Sequence, residues 1–496
     1  MAEKTKKKIR GKKKKSEQPS SVIPESDAVP KSVFSPDPLG APDESEPCDP
    51  EEFAEYRKAM LKLNEEYATV MLGSDCLVLN EYWDPLGMRT DVRFLTFETF
   101  CKKTMKNKCV NPWRSGSQKK YKSAGSMWLS SGFARRRDTV VFDPSDKVDR
   151  TRYYNMFQGF AFKPEKGDWS ILRDHIKNIV CAGDSRVYHY VMSWIARIFQ
   201  DPGGPRPSTA LVFRGVQGCG KSCVANAIGK ILFPHYKELL HLSHLTGKFN
   251  LHLKDALLVF CDEITWGGSR DIEGVLKGII SGPTVRIEPK NKDSGEIQSH
   301  MNLIIASNNE WVVPTGLYER RFCVLDVLPD KKDDKDYFRD MFLQLSSGGY
   351  AAMLHDFLEY PRMSTKDLCT VPRTSGLLEQ IVNSLSPVHK FWFQRLCDGT
   401  ILLSDTFWTE DVKCYSFYNF FLDFCETIGR KNFNIIRNQF SRYLKEVCPG
   451  MVTMKRGPQD NRENYYVFPS LKQCRDDFQK IVRLNIPWDD AEDFSF

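Results

Sequence analysis

The chain has 496 residues, a formal net charge of +7, 41% hydrophobic side chains and a mean hydropathy of −0.44. That length allows about three domains of a soluble protein. No apolar run approaches the roughly 18–20 residues of a membrane span and no signal-peptide core opens the chain, so no membrane partner is expected. Fifteen cysteines without one C-x-x-C pair exclude a zinc ribbon and a disulfide scaffold.

The charge is uneven. Residues 1–15 hold nine Lys/Arg against Glu3, which leaves the rest of the chain at −1. This arm is a nuclear-import signal, an electrostatic tether to DNA or a solubilising tail. It points to a host nucleus if the source is eukaryotic, and otherwise to the cytoplasm. Ser16 to Pro50 carries eight prolines and few apolar residues, so residues 1–50 are expected to be a disordered arm and linker. A helix is predicted over Glu51–Glu66, an extended pair over Ala68–Asn80 broken at Gly73-Ser74, and a strand over Thr139–Phe142. Together 51–150 read as a small α+β domain, in which Arg135-Arg136-Arg137 either touches nucleic acid or forms a solvated turn. Residues 151–205 follow as a helical collar, with Val187, Val191, Trp194, Ile195 and Ile198 at helical spacing.

The block 206–330 carries the chemistry. Its apolar runs Ala210–Arg214, Ala256–Cys261, Met301–Ala306 and Phe322–Val327 suit a parallel sheet covered on both faces, an α/β fold. After the first run comes Gly215-Val216-Gln217-Gly218-Cys219-Gly220-Lys221-Ser222, which fits G-x-x-x-x-G-K-S/T. In such a loop backbone N–H groups cradle a triphosphate, Lys221 reaches its terminal phosphates and Ser222 offers a hydroxyl to Mg²⁺. The second run ends in Asp262 and Glu263. Asp262 is placed to hold Mg²⁺ through its water shell, and Glu263 to orient and deprotonate an attacking water. Asn308, after the third run, is the candidate contact to that water and the γ-phosphate. Glu319-Arg320-Arg321-Phe322 offers a transition-state arginine from a neighbouring subunit. Between them Val285 to Asp293 reads as a hairpin, with Arg286, Lys290 and Lys292 as candidate grips on a DNA backbone. His241, His244, His252 and Cys261 do not make a convincing metal cluster.

Residues 331–385 read as a helical extension. In 386–496 two helices (Ser416–Gly429, Phe433–Val447) precede two strands (Met451–Met454, Tyr465–Phe468), the order of a winged-helix-like domain. Arg437, Arg442, Lys445, Lys455 and Arg456 lie where DNA contacts belong, or are solvated faces.

The phosphate loop, Asp262-Glu263, Ser307-Asn308-Asn309 and Glu319-Arg320-Arg321-Phe322, in this order, resemble the superfamily 3 helicases, an AAA+ group. The likeness is closest to the helicase half of phage and large-DNA-virus primase-helicases of the poxvirus type. It extends through Tyr154–Phe160, Gly167-Asp168-Trp169, Trp194-Ile195-Ala196 and Gly247-Lys248-Phe249-Asn250. The resemblance implies an AAA+ core, a homo-hexameric ring with ATP and Mg²⁺ between subunits, and 3′-to-5′ movement on single-stranded DNA. It also implies hairpin lysines lining the channel and Arg320, or Arg321 beside it, as the finger. Upstream primases need paired acids followed by a histidine, and here the first histidine is His175 in the collar. A separate primase or polymerase is therefore an expected partner. The leading reading is an ATP-dependent replicative DNA helicase of a virus, phage or related mobile element, acting on single-stranded and replication-fork DNA. The alternative is a DNA-binding AAA+ ATPase switch, an origin or partition factor. A small-molecule kinase needs neither Arg320 nor Lys290.

Overall fold

In a computed structural model, residues 49–84, 89–114, 118–247, 250–263, 270–288, 295–313, 315–317, 319–429, 435–458 and 462–488 are described. The chain divides into two compact units, Met1–Asp138 and Thr139–Phe496.

The first unit begins with the helix Pro50–Leu63, whose first turn is capped by the Asp49 carboxylate accepting from the Glu51 N–H at 3.0 Å. Three antiparallel strands follow, Tyr67–Leu72, Asp75–Asp84 and Arg89–Leu95, with Tyr67 opposite Asn80 and Leu72 opposite Asp75. Tyr56, Met60, Phe100 and Trp128 form its buried centre. Of the arginine triplet, Arg135 is tied down within this unit, donating to the Tyr67 carbonyl at 3.1 Å and pairing with Glu81 at 3.3 Å. The strand Arg136–Val141 runs across the division at Asp138 and pairs in parallel with Tyr153–Asn155, so the expected end of the domain at 150 falls between these two strands.

The second unit is built on five parallel strands among the described residues. Their order across the sheet is Phe322–Asp326, Ala210–Arg214, Asn302–Ser307, Leu258–Cys261, Tyr236–Leu239. Alternate residues of each strand feed opposite faces. Ala210, Val212, Val259, Leu303, Ile305 and Val324 belong to one apolar cluster. Leu211, Phe213, Phe260, Ile304, Ala306 and Leu325 belong to the other. Strands buried on both faces are read from sequence as unbroken apolar runs, and four of the five were expected on that basis. The fifth, Tyr236-Lys237-Glu238-Leu239, was not. It is an edge strand whose charged residues break the run, the composition that keeps an edge from pairing with another chain.

The collar helix Ser185–Gln200 lies on the second cluster with Val187, Val191, Trp194, Ile195 and Ile198 all buried. Asp184 caps it, accepting from the N–H groups of Arg186 at 2.8 Å and Val187 at 3.1 Å. On the opposite face the first cluster runs on without a break into the C-terminal region. There Phe391, Phe417, Phe421 and Phe440 pack ring against ring, the closest pair being Phe421 and Phe440 at 4.7 Å. This region holds the helices Pro387–Asp398, Cys414–Thr427, Arg437–Val447 and Leu471–Val482. It also holds an antiparallel sheet ordered Asp411–Lys413, Glu463–Val467, Val452–Arg456. The short strand Asp411–Lys413 and the helices Pro387–Asp398 and Leu471–Val482 were not among the expected elements. No helix among the described residues is long and apolar enough to cross a membrane.

Candidate active site

Gly215 to Gly220 leave the sheet at the carboxyl end of the Ala210–Arg214 strand and lead into the helix Lys221–Leu232. Gly220 is the helix N-cap with φ +91°, and a Cβ there would come within 2.6 Å of His175 Nε2. Only glycine allows this turn. Parallel strands deliver their carboxyl ends to one edge, and that edge is where open α/β sheets hold ligands. Because Asn302–Ser307 lies between the strands Ala210–Arg214 and Leu258–Cys261, three segments meet there: Gly215–Ser222, Asp262-Glu263 and Asn308. The Gly215 N–H donates to the Ser307 carbonyl at 3.2 Å, which ties the loop to the strand that carries Asn308.

The resulting cleft has a volume of about 350 Å³ and is lined by Gln217, Gly218, Gly220, Lys221, Ser222, Cys223, Asp262, Glu263, Asn308 and Phe338. Ser222 Oγ donates to Asp262 Oδ2 at 2.9 Å across 40 positions of sequence. A hydroxyl and a carboxylate at that spacing offer two oxygens on one side of a hard cation such as Mg²⁺. Lys221 is 9% exposed and donates to the carbonyls of Gly215 at 2.7 Å and Val216 at 2.8 Å. Its ammonium therefore sits on the loop rather than in bulk solvent. Glu263 has φ +53°, an uncommon conformation for a side-chain-bearing residue, and its N–H donates to Asp262 Oδ1 at 3.1 Å.

Arg320 and Arg321 are not in this cleft. Phe322 is level with Ala210, the first residue of the phosphate-loop strand, so both arginines lie at the opposite end of the sheet. The distance is about four strand residues, roughly 13 Å along the strand. Glu319, 3% exposed, accepts through Oε1 from the N–H groups of Arg320 at 2.9 Å and Arg321 at 2.7 Å. The Arg321 side chain is held by Ser281 Oγ at 3.0 Å, whereas Arg320 is exposed. Arg286 lies on an antiparallel pair, Thr284–Ile287 with Gly295–Gln298, and faces Glu288 at 3.4 Å. Lys290 and Lys292, expected at the tip of that hairpin, lie outside the described residues.

Besides Cys223, which directly follows the loop, two residues of the site escaped sequence reasoning. Phe338, on the helix Lys335–Gln344, forms a wall of the cleft. His175 is fully buried beneath Gly220, with Nδ1 3.2 Å from the Tyr337 hydroxyl. Burial pushes its pKa down to about 4, nearby Lys331 adds to that, and the Gly220 backbone opposes it. Neither residue belongs to a local motif, since folding brings both to the loop from more than forty positions away.

A family of unknown function, DUF5906, matches residues 213–321. Among curated proteins the chain is similar to the DNA primase-polymerase of Nitratiruptor phage NrS-1, 25% identical over 277 residues. That match takes in 52% of this chain but 38% of the relative, so the chain spans well under half of the protein it resembles. Among solved structures, the apo structure of the NrS-1 C-terminal region (305–718) aligns with a TM-score of 0.60 at 15% identity, covering 85% of this chain and 100% of that one. The A form apo structure of the same region aligns with a TM-score of 0.58, again at 15% identity, over 84% of this chain and 99% of that one. These structures share the fold.

The expected function needs correction. The sequence pointed to a superfamily 3 replicative helicase, or to an ATPase switch at an origin or partition site. The curated relative is instead a DNA primase-polymerase, which directs the reading to primer synthesis and polymerisation rather than strand unwinding. The physical reason is plain. A phosphate loop, two carboxylates, an amide and an arginine specify how a triphosphate is held, not what work its chemistry performs.

Proposed function

We propose that this chain is the nucleotide-dependent module of a phage-type DNA replication protein of the primase-polymerase class. Residues 206–330 form an AAA+-type phosphate-loop core that takes a nucleoside triphosphate with Mg²⁺, ATP being the first to test. Lys221 meets the β- and γ-phosphates, and Ser222 with Asp262 holds the cation. Glu263 orients the attacking water and Asn308 contacts it. The observation that carries this reading is the Ser222–Asp262 hydrogen bond of 2.9 Å inside a cleft also lined by Lys221, Glu263 and Asn308. The strained backbone at Glu263 supports it, since such outliers gather at functional sites. The bound triphosphate serves primer synthesis and polymerisation on DNA inside the host cell, with nucleotide addition carried by a separate primase or polymerase element. Arg320, exposed and remote from its own cleft, acts on the cleft of a second copy, as in a homo-hexamer.

The test is direct. The purified chain is titrated with a fluorescent ATP analogue with and without Mg²⁺, and phosphate release is followed with and without a primed DNA template. Binding should need Mg²⁺, and the template should stimulate release. Glu263→Gln should bind normally but release phosphate at least about 10²-fold more slowly. Absence of Mg²⁺-dependent binding, or full turnover by Glu263→Gln, overturns the proposal.

A further inference from the structure

The C-terminal region presents a surface that the nucleotide cleft does not use. The helix Arg437–Val447 buries Phe440, Leu444 and Val447 against the aromatic centre and exposes Arg437, Asn438, Gln439, Arg442 and Lys445. After it, the strand Val452–Arg456 is exposed along its whole length, although its partner Glu463–Val467 buries Tyr466. The pair therefore stands off the body as a flap carrying Lys455 and Arg456. Acidic neighbours are already engaged at its base, Asp411 with Arg456 and Glu463 with Lys413 at 2.7 Å.

We infer that this face is a double-stranded DNA reader, with the helix Arg437–Val447 in the major groove and the Val452–Arg456 flap on the adjacent backbone. The inference rests on the DNA-acting reading above and adds to it a second, duplex-specific site. The side chains decide the occupant. Amide groups such as Asn438 and Gln439 match the donor–acceptor edge of adenine, and a guanidinium such as Arg442 matches guanine. Asn438 and Gln439 lie in the first turn and Arg442 at the midpoint; the N-terminal part is what meets base edges when a second helix of a helix–turn–helix enters the groove. Single-strand binding needs a row of exposed rings on which bases stack; Tyr415, exposed beside Arg437, is a single ring, and the exposed helix positions carry amide, guanidinium and ammonium groups. Lys455 suits a phosphate, a contact that positions a protein without reading sequence, whereas Arg456 is held by Asp411.

The full chain is used to select duplexes from a randomised library, and the enriched sequence is measured by fluorescence anisotropy as duplex, as single strand and beside an RNA hairpin. One sequence family should be enriched, with the duplex bound tightest. Asn438→Ala and Arg442→Ala should each cut the preference for that sequence about tenfold. Lys455→Ala should weaken all duplexes alike and lower the slope of log K against log salt by about one. Phosphate release without DNA should be unchanged in all three, and equal melting temperatures assign the losses to contact. Enrichment of nothing, equal affinity for single strand or RNA hairpin, or unaltered preference in Asn438→Ala and Arg442→Ala overturns the inference. Duplex selection by a protein that binds no triphosphate would sink the nucleotide reading alone.

Discussion

The cleft at the carboxyl end of the parallel sheet and the C-terminal region share one unit of the fold but are made by opposite means. In the cleft the backbone does most of the work. Three strand ends converge, one glycine turns the chain at φ +91°, and a few polar side chains complete a pocket. In the C-terminal region the side chains do it: a cluster of phenylalanines fixes four helices and a small sheet. The first kind of construction leaves a motif in the sequence, whereas the second leaves only a pattern of burial. A change in the cleft should therefore remove chemistry with little loss of stability, and a change in the C-terminal core should do the reverse.

The sharpest break is Lys221→Ala. Losing the ammonium that meets the terminal phosphates should lower turnover about 10²–10³-fold, the size of effect seen when one electrostatic contact to a transition state is removed. The two hydrogen bonds from Lys221 to Gly215 and Val216 put the cost in stability at about 1–3 kcal/mol. Steady-state phosphate release and a thermal melt measure both. Near-normal turnover would place the chemistry elsewhere.

Phe440→Ala is the mirror image. Phe440 is fully buried among Phe391, Phe417 and Phe421, and truncation of such a ring costs about 3–5 kcal/mol. Melting should fall steeply while the protein that stays folded at low temperature keeps its nucleotide affinity. A parallel loss of affinity would show that the unbroken apolar cluster beneath the sheet makes the two regions one cooperative whole.

The same contrast explains what was legible beforehand. Gly215–Ser222, Asp262, Glu263 and Asn308 were all named from sequence, because the chemistry fixes residue type and spacing within short segments. The strands Ala210–Arg214 and Phe322–Asp326 were legible because burial on both faces leaves no polar interruption. Tyr236–Leu239 was hidden by its own edge position, and Asp411–Lys413 by a length of three residues. Phe338 and His175 were hidden because their roles depend on tertiary approach alone. The function was misjudged for a different reason, since the motif describes phosphate handling and is silent on the task it serves.

His175 offers an intermediate effect. Its pKa is about 4 when buried under the loop, against about 6.5 for an exposed imidazole. The folded value is the depressed one, so the contribution of neutral His175 is complete above pH 6.5. It is lost as pH falls towards 4 and levels off below that. The window corresponds to about 3 kcal/mol. Melting temperature should fall across it in the wild type and fall less in His175→Gln. Identical pH profiles would mean that the imidazole is solvated or finds a proton acceptor in its site.

The smallest effect comes from making one substitution twice. Gly220 and Gly429 both have positive φ, +91° and +72°. Alanine in that region costs about 1 kcal/mol through its Cβ and the following carbonyl, whatever surrounds it. At Gly429, after the helix Cys414–Thr427, no atom of the described residues beyond its chain neighbours lies within 4 Å of an added Cβ, so the backbone cost dominates and turnover should be unchanged. At Gly220 the added carbon meets His175 Nε2 at 2.6 Å and Phe338 at 2.9 Å, so the ring beneath the loop and the wall of the cleft must both move. Gly220→Ala should therefore lose triphosphate affinity as well as stability. Paired melts and fluorescent-nucleotide titrations separate the cases, and equal nucleotide affinity in the two variants would show that the loop tolerates displacement of His175 and Phe338.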